Sequence, residues 1–94
     1  MSRIAINAVH DLARCLGARH QELEIDCPVT VGELMQFLVD RYGDELKQKF
    51  ARREDSLWNV VVFVNGRNVF AGDGMQTLVR ENDEVLFLSP ISGG

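Results

Sequence analysis

The sequence has 94 residues, a hydrophobic share of 46%, a charged share of 26% and a formal net charge of −4. These values are typical of one small globular domain and argue against a disordered chain, a coiled coil or a bilayer-spanning segment. The acidic excess disfavours nucleic acid and anionic membranes as partners. With two cysteines and no secretory leader pattern at residues 1–4, we expect a reduced, cytoplasmic protein.

The first third of the chain predicts two strands separated by a short helical turn or loop. Residues 3–9 form a short apolar run, which indicates a strand. Residues 10–16 have a helical-turn or loop pattern that ends at Gly17. Residues 20–27 alternate between apolar and acidic side chains, as in a half-exposed antiparallel strand. The predicted apolar face of this strand carries Leu23, Ile25 and Cys27.

One strong helix is predicted next. Thr30 and Glu33 have the spacing of a capping box, in which each side chain binds a backbone N–H of the first turn. Gly43 lies inside the helical pattern and predicts a break or kink. Residues 52–56 predict a charged surface loop. The apolar residues at helical spacing, which we expect to face the core, are Val31, Leu34, Met35, Leu38, Tyr42, Leu46 and Phe50.

The last third of the chain predicts three strands. Residues 59–64 are rich in β-branched side chains, and Asn65-Gly66 is typical of a tight hairpin turn because both residues tolerate positive φ. Residues 67–70 are the predicted returning strand. The remaining predictions, in chain order, are a turn at 71–74, a connector at 75–78, a turn at 81–83 and a strand at 84–88.

These elements follow the order β-β-α-β-β-β, which predicts an α+β fold. A helical crossover places the first and last strands side by side and parallel. We therefore expect a β-grasp (ubiquitin-like) roll, a mixed sheet of about five strands with one main helix on one face. Residues 1–94 are predicted to form a single domain, with residues 89–94 as a flexible C-terminal tail.

The polar residues offer little support for a catalytic or metal site. His10, His20, Cys15 and Cys27 could supply four metal ligands, but they form no C-x-x-C or H-x-x-x-H pair. We interpret the histidines as surface residues and the cysteines as buried structural thiols. The sequence therefore predicts no bound metal, no bound cofactor and no active site of its own.

The end of the chain is the unusual feature. Pro90 keeps the segment after the last strand extended, and Gly93 and Gly94 lack Cβ atoms, so this backbone could enter a narrow channel. A terminal carboxylate delivered in this way could be activated inside another protein's active site. The alternative interpretation is a frayed tail without a role.

The whole chain resembles the MoaD/ThiS family of ubiquitin-like sulfur carriers. The matching pieces are residues 3–8, T-V-G-E-L at 30–34, V-F-V-N-G at 62–66 and N-D-E-V-L-F-L-S-P-I-S-G-G at 82–94. The last piece is similar to the family's ending G-D-E-V-x-x-F-P-P-V-A-G-G. Asn7 departs from the pattern, because molybdopterin-synthase members often have an aromatic residue there. The departures within the ending are Asn82 for Gly, Leu88 for Phe, Ser89 for Pro, and Ile91 and Ser92 for Val-Ala.

This resemblance implies a role as a carrier without its own active site. An adenylating protein similar to ubiquitin-activating enzymes would use ATP to join the Gly94 carboxylate to AMP. Sulfide or a persulfide would then displace AMP and leave a thiocarboxylate on Gly94. In a molybdopterin synthase, the tail would enter the large subunit and donate this sulfur. The residues implied to give the tail access to a partner are Gly93, Ser92, Ile91 and Pro90, with Leu88 as an apolar partner contact.

Three alternatives remain open at this point. The carrier could serve cysteine synthesis, thiamine synthesis or tRNA thiolation, although the length and the insertion at 52–56 favour the molybdopterin-type members. The chain could instead be a protein modifier, with Gly94 joined to a target lysine. The third alternative is an interaction domain whose terminal glycines have no function.

Overall fold

The computed structural model describes residues 2–50 and 60–88, which form two sheets and several helices. The strands are β1 Ser2–Ala8, β2 His20–Ile25, β3 Val29–Thr30, β4 Val61–Val64, β5 Arg67–Asn68, β6 Leu78–Val79 and β7 Glu84–Leu88. The helices are α1 His10–Leu16, α2 Val31–Tyr42 and α3 Asp44–Phe50, with 3-10 turns at Val69–Ala71 and Gly74–Gln76.

The main sheet has five strands in the order β2-β1-β7-β4-β5. β1 and β7 are parallel, and the other neighbours in this sheet are antiparallel. The predicted α+β roll, with the first and last strands side by side, is confirmed. No helix among the described residues is long and apolar enough to cross a bilayer.

The predicted capping box starts α2. The Glu33 backbone N–H donates to Thr30 Oγ1 at 3.1 Å, and the Thr30 backbone N–H donates to Glu33 Oε1 at 3.0 Å. These hydrogen bonds stabilise the carboxylate, so the Thr30 backbone contact holds the pKa of Glu33 below its ordinary value. The predicted break is also present, because Gly43 adopts φ 95° between α2 and α3.

One face of the main sheet, the inner face, packs against the helices. The apolar stripe of α2 and α3 is buried as predicted, except that Tyr42 is half-buried and donates its hydroxyl hydrogen to Gln21 Oε1 at 3.0 Å. The largest fully buried side chains in this core are Phe87, Ile4, Ile6, Leu12, Leu34, Leu38 and Leu46, with Val31, Val60, Val62, Val79 and Val85.

The predicted turns at 65–66 and 81–83 are confirmed, and they lie at the same end of the antiparallel β4 and β7 pair. Asn65 and Gly66 adopt φ of 51° and 83°, and Asn82 adopts φ 70°. The Asn65 side chain joins the two turns, since its Nδ2 donates to Asp83 Oδ1 at 3.0 Å and its Oδ1 accepts from the Glu84 backbone N–H at 2.9 Å. Tight turns therefore fix the register of the two strands.

Several boundaries predicted from the sequence are wrong. The returning strand ends at Asn68, because Asn68 Oδ1 accepts a hydrogen bond from the Phe70 N–H at 2.9 Å and starts a 3-10 turn. Strand β2 ends at Ile25, two residues earlier than expected. The expected connector at 75–78 contains part of a 3-10 turn and of β6, which pairs with β3. The predicted loop at 52–56 lies outside the described residues.

Candidate functional site

The outer face of the main sheet is the candidate site, since it presents apolar side chains away from the core. We define the apolar patch as Val61 and Phe63 of β4 with Leu86 and Leu88 of β7. Val61 lies opposite Leu88, and Phe63 lies opposite Leu86. All four are half-buried, and among the described residues none belongs to the core or to the side chains packed against it. A partner could cover this patch.

A shallow hollow lies within the same face. Its volume is ≈ 350 Å³. The hollow of the outer face is lined by Asn7, Phe63, Gly66, Glu84, Leu86 and Leu88. Its lining combines three large apolar side chains with two polar ones, which suits an apolar side chain of a partner with a polar group beside it.

The opposite end of the outer face is acidic. Glu22 and Glu24 of β2 and Glu84 at the start of β7 are all exposed. Arg3 of β1 lies between the first two, with Nη1 3.2 Å from Glu22 Oε2 and Nη2 3.4 Å from Glu24 Oε1. The face therefore changes from acidic to apolar along β7, towards the end at which the chain leaves the strand.

A polar pair lies next to the apolar patch. Asn7 is half-buried on β1, and its neighbours across the sheet are His20 of β2 and Leu86 of β7. The His20 Nδ1 lies 2.6 Å from Asn7 Oδ1. The sequence interpretation treated His20 as an isolated surface histidine and did not detect this pair. The signal that could have revealed it is the strand pairing, which places positions 7 and 20 opposite each other.

Leu88 lies on the face that strand alternation predicts. Val85 and Phe87 are both 0% exposed on the inner face, whereas Leu86 and Leu88 are half-buried on the outer face. Leu88 is thus available to a partner, and its role as a contact remains a prediction. The predicted tail residues Pro90, Ile91, Ser92, Gly93 and Gly94 lie outside the described residues.

The two cysteines are half-buried rather than buried as predicted. The Cys15 thiol donates to Glu45 Oε1 at 3.5 Å, and the Cys27 thiol donates to the Ile25 carbonyl at 3.6 Å. Burial is the main cause that raises the pKa of the Cys27 thiol, which makes its reactive thiolate less available. Among residues 2–50 and 60–88, no group of three or more His, Cys, Asp or Glu side chains is arranged to hold a metal ion.

The family follows from comparison with known proteins. The model of the ThiS family matches residues 6–94. The chain belongs to the ThiS family. A relative from Archaeoglobus fulgidus, named as a candidate sulfur carrier protein, is 39% identical over 75 residues, which cover 78% of this chain and 84% of the relative.

Solved structures support the fold of this ThiS-family chain. The Haloferax volcanii HVO 2177 protein is 26% identical, with a TM-score of 0.82 over 99% of this chain and 87% of that one. The small archaeal modifier protein 1 of Methanosarcina acetivorans is 24% identical, with a TM-score of 0.78 over 100% and 98%. A candidate molybdopterin converting factor subunit 1 from Pyrococcus furiosus is 19% identical, with a TM-score of 0.75 over 97% and 100%. The last two similarities establish the ubiquitin-like fold alone.

Proposed function

We propose that this chain is a sulfur carrier whose Gly94 carboxylate is activated and converted to a thiocarboxylate by partner proteins. The observation that carries the proposal is the apolar patch on the outer face, which ends at Leu88. Only five residues lie between Leu88 and Gly94. A protein that binds the patch is therefore close to the segment that carries the terminal carboxylate.

The proposed chemistry is an acyl activation followed by a substitution. A carboxylate resists nucleophiles because of its negative charge and its poor leaving group. The adenylating partner would join Gly94 to the AMP part of ATP and release pyrophosphate. Sulfide, or a persulfide followed by reduction, would then attack the acyl carbon, and AMP would leave. The carrier needs no metal and no cofactor of its own for either step, and ATP binds the partner.

The proposed recipient is molybdopterin synthesis, with this chain as the small subunit of molybdopterin synthase. The length of the chain and the insertion at residues 52–56 support this assignment, because both favour the molybdopterin-type members of the family. The tail residues Pro90, Ile91, Ser92 and Gly93 would lie in a channel of the large subunit, and Leu88 would contact the surface around it. Gly93 and Gly94 suit such a channel because they have no side chains.

Protein modification is the second candidate, since the same activated terminus can form an isopeptide bond with a lysine. The similarity in fold to the small archaeal modifier protein 1 and the Gly-Gly ending favour it. Both candidates need the adenylating partner, and they differ in the nucleophile that attacks the activated carboxyl group. The outer face would serve the activating step in either case.

Intact-mass measurement tests the carrier proposal. The full chain is incubated with the adenylating protein encoded in the same genome, MgATP and sulfide. We expect a mass gain equal to the exchange of one oxygen for sulfur, and its loss when Gly94 is deleted. A Ser2→Ala variant, changed at the opposite end of the chain, is the control. An unchanged mass of the wild-type chain with an active adenylating protein would reject the proposal.

Two further readouts separate the recipients. Thiocarboxylated chain mixed with the large subunit of molybdopterin synthase and its pterin precursor should yield molybdopterin and return the carboxylate form. A protein modifier would instead give higher-mass conjugates in cell lysate, and deletion of Gly94 would abolish them. A chain that keeps its thiocarboxylate in the presence of the large subunit would exclude molybdopterin synthesis.

A further inference from the structure

Asn7 is an unusual residue for its place in the sheet. It lies on β1, an interior strand of the main sheet, although asparagine is a poor strand former, and its side chain belongs to the outer face. Leu86, its neighbour on β7, is part of the apolar patch. The Asn7 side chain therefore contributes nothing to the core and places a polar group beside the apolar patch.

The hydrogen bond with His20 fixes the orientation of the Asn7 carboxamide. A carbonyl oxygen only accepts hydrogen bonds, so at 2.6 Å the His20 Nδ1 must be the donor. The Asn7 Nδ2 then keeps its hydrogens for another group, since among residues 2–50 and 60–88 it donates to no other residue. The pair thus presents an oriented N–H donor beside the apolar patch.

The surroundings select the chemistry of the group that would meet this donor. Asn7 lines the hollow together with Phe63 and Leu86, so a partner that fills the hollow removes water from the Asn7 amide. A buried donor without an acceptor is unfavourable. On this face Glu22, Glu24 and Glu84 outnumber Arg3, which pairs with the first two, so the net negative charge repels a carboxylate. A neutral acceptor, such as a main-chain carbonyl, meets no such repulsion.

We propose that Asn7 is a specificity-determining contact for the adenylating partner, and that His20 is the positioning residue that holds its carboxamide. The partner places an apolar side chain in the hollow and a neutral carbonyl opposite Asn7 Nδ2. This assignment rests on the proposed function, in which the adenylating protein recognises the chain before any sulfur is attached. The apolar patch alone would accept any partner with a matching apolar surface. Asn7 adds the requirement that the partner also carries a hydrogen-bond acceptor.

The substitution Asn7→Leu distinguishes a purely hydrophobic binding face from one that requires a polar contact. The side chains are similar in size, so a purely hydrophobic face would bind the partner more tightly with leucine. A polar requirement predicts roughly 10-fold weaker binding, because the partner's acceptor is buried without a donor. Binding is measured by titration calorimetry with the full chain and the adenylating protein from the same genome. The unfolding midpoint of each variant verifies that it folds, and Asn7→Ala provides a second variant.

A double-mutant cycle tests the role of His20. We expect His20→Ala to weaken binding by less than Asn7→Leu does, and the double variant to bind no more weakly than Asn7→Leu alone. His20→Gln should bind nearly as the wild type, since its amide N–H can donate to the same oxygen. Independent effects of the two substitutions would reject the positioning role of His20.

Gln48→Leu is the matched control, because it replaces an exposed amide with leucine on α3, outside the outer face. Wild-type affinity of Asn7→Leu, or tighter binding, would overturn the proposed role of Asn7. If the wild-type chain receives sulfur normally while Asn7→Leu binds unchanged, this role alone is rejected. A wild-type chain that neither binds the adenylating protein nor receives sulfur would overturn the proposed function and the role of Asn7 together.

Discussion

The two faces of the main sheet use the same strands for different purposes. On β7, Val85 and Phe87 are fully buried on the inner face, whereas Leu86 and Leu88 are half-buried on the outer face. The inner side chains pack against the helices, and the outer ones form a patch outside the core. A strand with apolar residues on both faces therefore stabilises the fold with one face, while its other face stays outside the core, where we propose that a partner binds.

The largest expected effect is a loss of folding stability on substitution of the inner face, compared with a smaller loss on the outer face. Phe87→Ala removes a fully buried ring whose centroid lies 5.2 Å from that of the Phe50 ring, so unfolding should become easier by about 3–5 kcal/mol. Leu86→Ala, on the outer face of the same strand, should cost less than about half of that. Urea unfolding of both variants measures the difference. Equal losses would mean that the outer face also belongs to the core.

The second prediction concerns partner binding, for which we expect the outer face to matter more than the inner face. Phe63→Ser should reduce affinity for the adenylating protein by at least about 10-fold, because large side chains at the centre of an interface carry most of its binding energy. Its effect on stability should stay within about 1 kcal/mol, the range of one cross-strand pair.

The control for Phe63 is another phenylalanine. Phe70 is 37% exposed in the 3-10 turn outside the patch, so Phe70→Ser makes the same chemical change in a different place. It should leave partner affinity unchanged. If both serine variants bind alike, the patch is not the docking surface.

The third prediction concerns the helix that covers the inner face. Thr30→Ala removes the side-chain acceptor for the Glu33 N–H and should cost about 1 kcal/mol. Folding lowers the pKa of Glu33 below its ordinary value of 4.5. The ionised Glu33 therefore makes its full contribution to the stability of the folded chain above pH 4.5. The contribution should disappear as the pH falls through the lower, folded-state pKa.

Unfolding measured across the acidic range tests this pH dependence. Glu33→Gln should remove the loss of stability that protonation of Glu33 causes at acidic pH. Glu81→Gln, a change at an exposed glutamate outside any helix, should retain this loss. The same decline with and without Glu33 would show that the capping box does not stabilise the inner layer.

The sequence predicts the inner face well because its signals are local. The capping box at Thr30 and Glu33, the turn at Asn65 and Gly66, and the apolar spacing along α2 each depend on residues close together in the chain. The pairing of β3 with β6 was missed, since two-residue strands carry no periodic pattern. Asn68 also overrides strand propensity with a single side-chain hydrogen bond to Phe70.

The outer face was predictable only in part. Alternation along residues 84–88 places Leu88 on that face, but the contact between Asn7 and His20 depends on the register of β1 and β2. A shift of β2 by one residue would move His20 to the inner face and separate it from Asn7. The Gly-Gly ending makes the Gly94 carboxylate a candidate reactive group from the sequence alone. The surface that a partner would bind is visible only in the folded sheet.

The smallest expected effect is at the acidic end of the outer face. Arg3 forms ion pairs with Glu22 and Glu24, and all three side chains are largely exposed. Arg3→Gln should change the free energy of unfolding by less than about 1 kcal/mol, since exposed ion pairs gain little over their interaction with water. The effect should shrink further in high salt, which screens exposed charges.

Unfolding of Arg3→Gln in low and high salt measures this contribution, with Arg41→Gln on α2 as the control. A loss close to that of Phe87→Ala would mean that the acidic end is structural and that the two faces share the work of stabilising the fold. A small loss means that Arg3, Glu22 and Glu24 contribute little to folding. Their charges are then free to set the preference of the outer face for a neutral or basic partner surface.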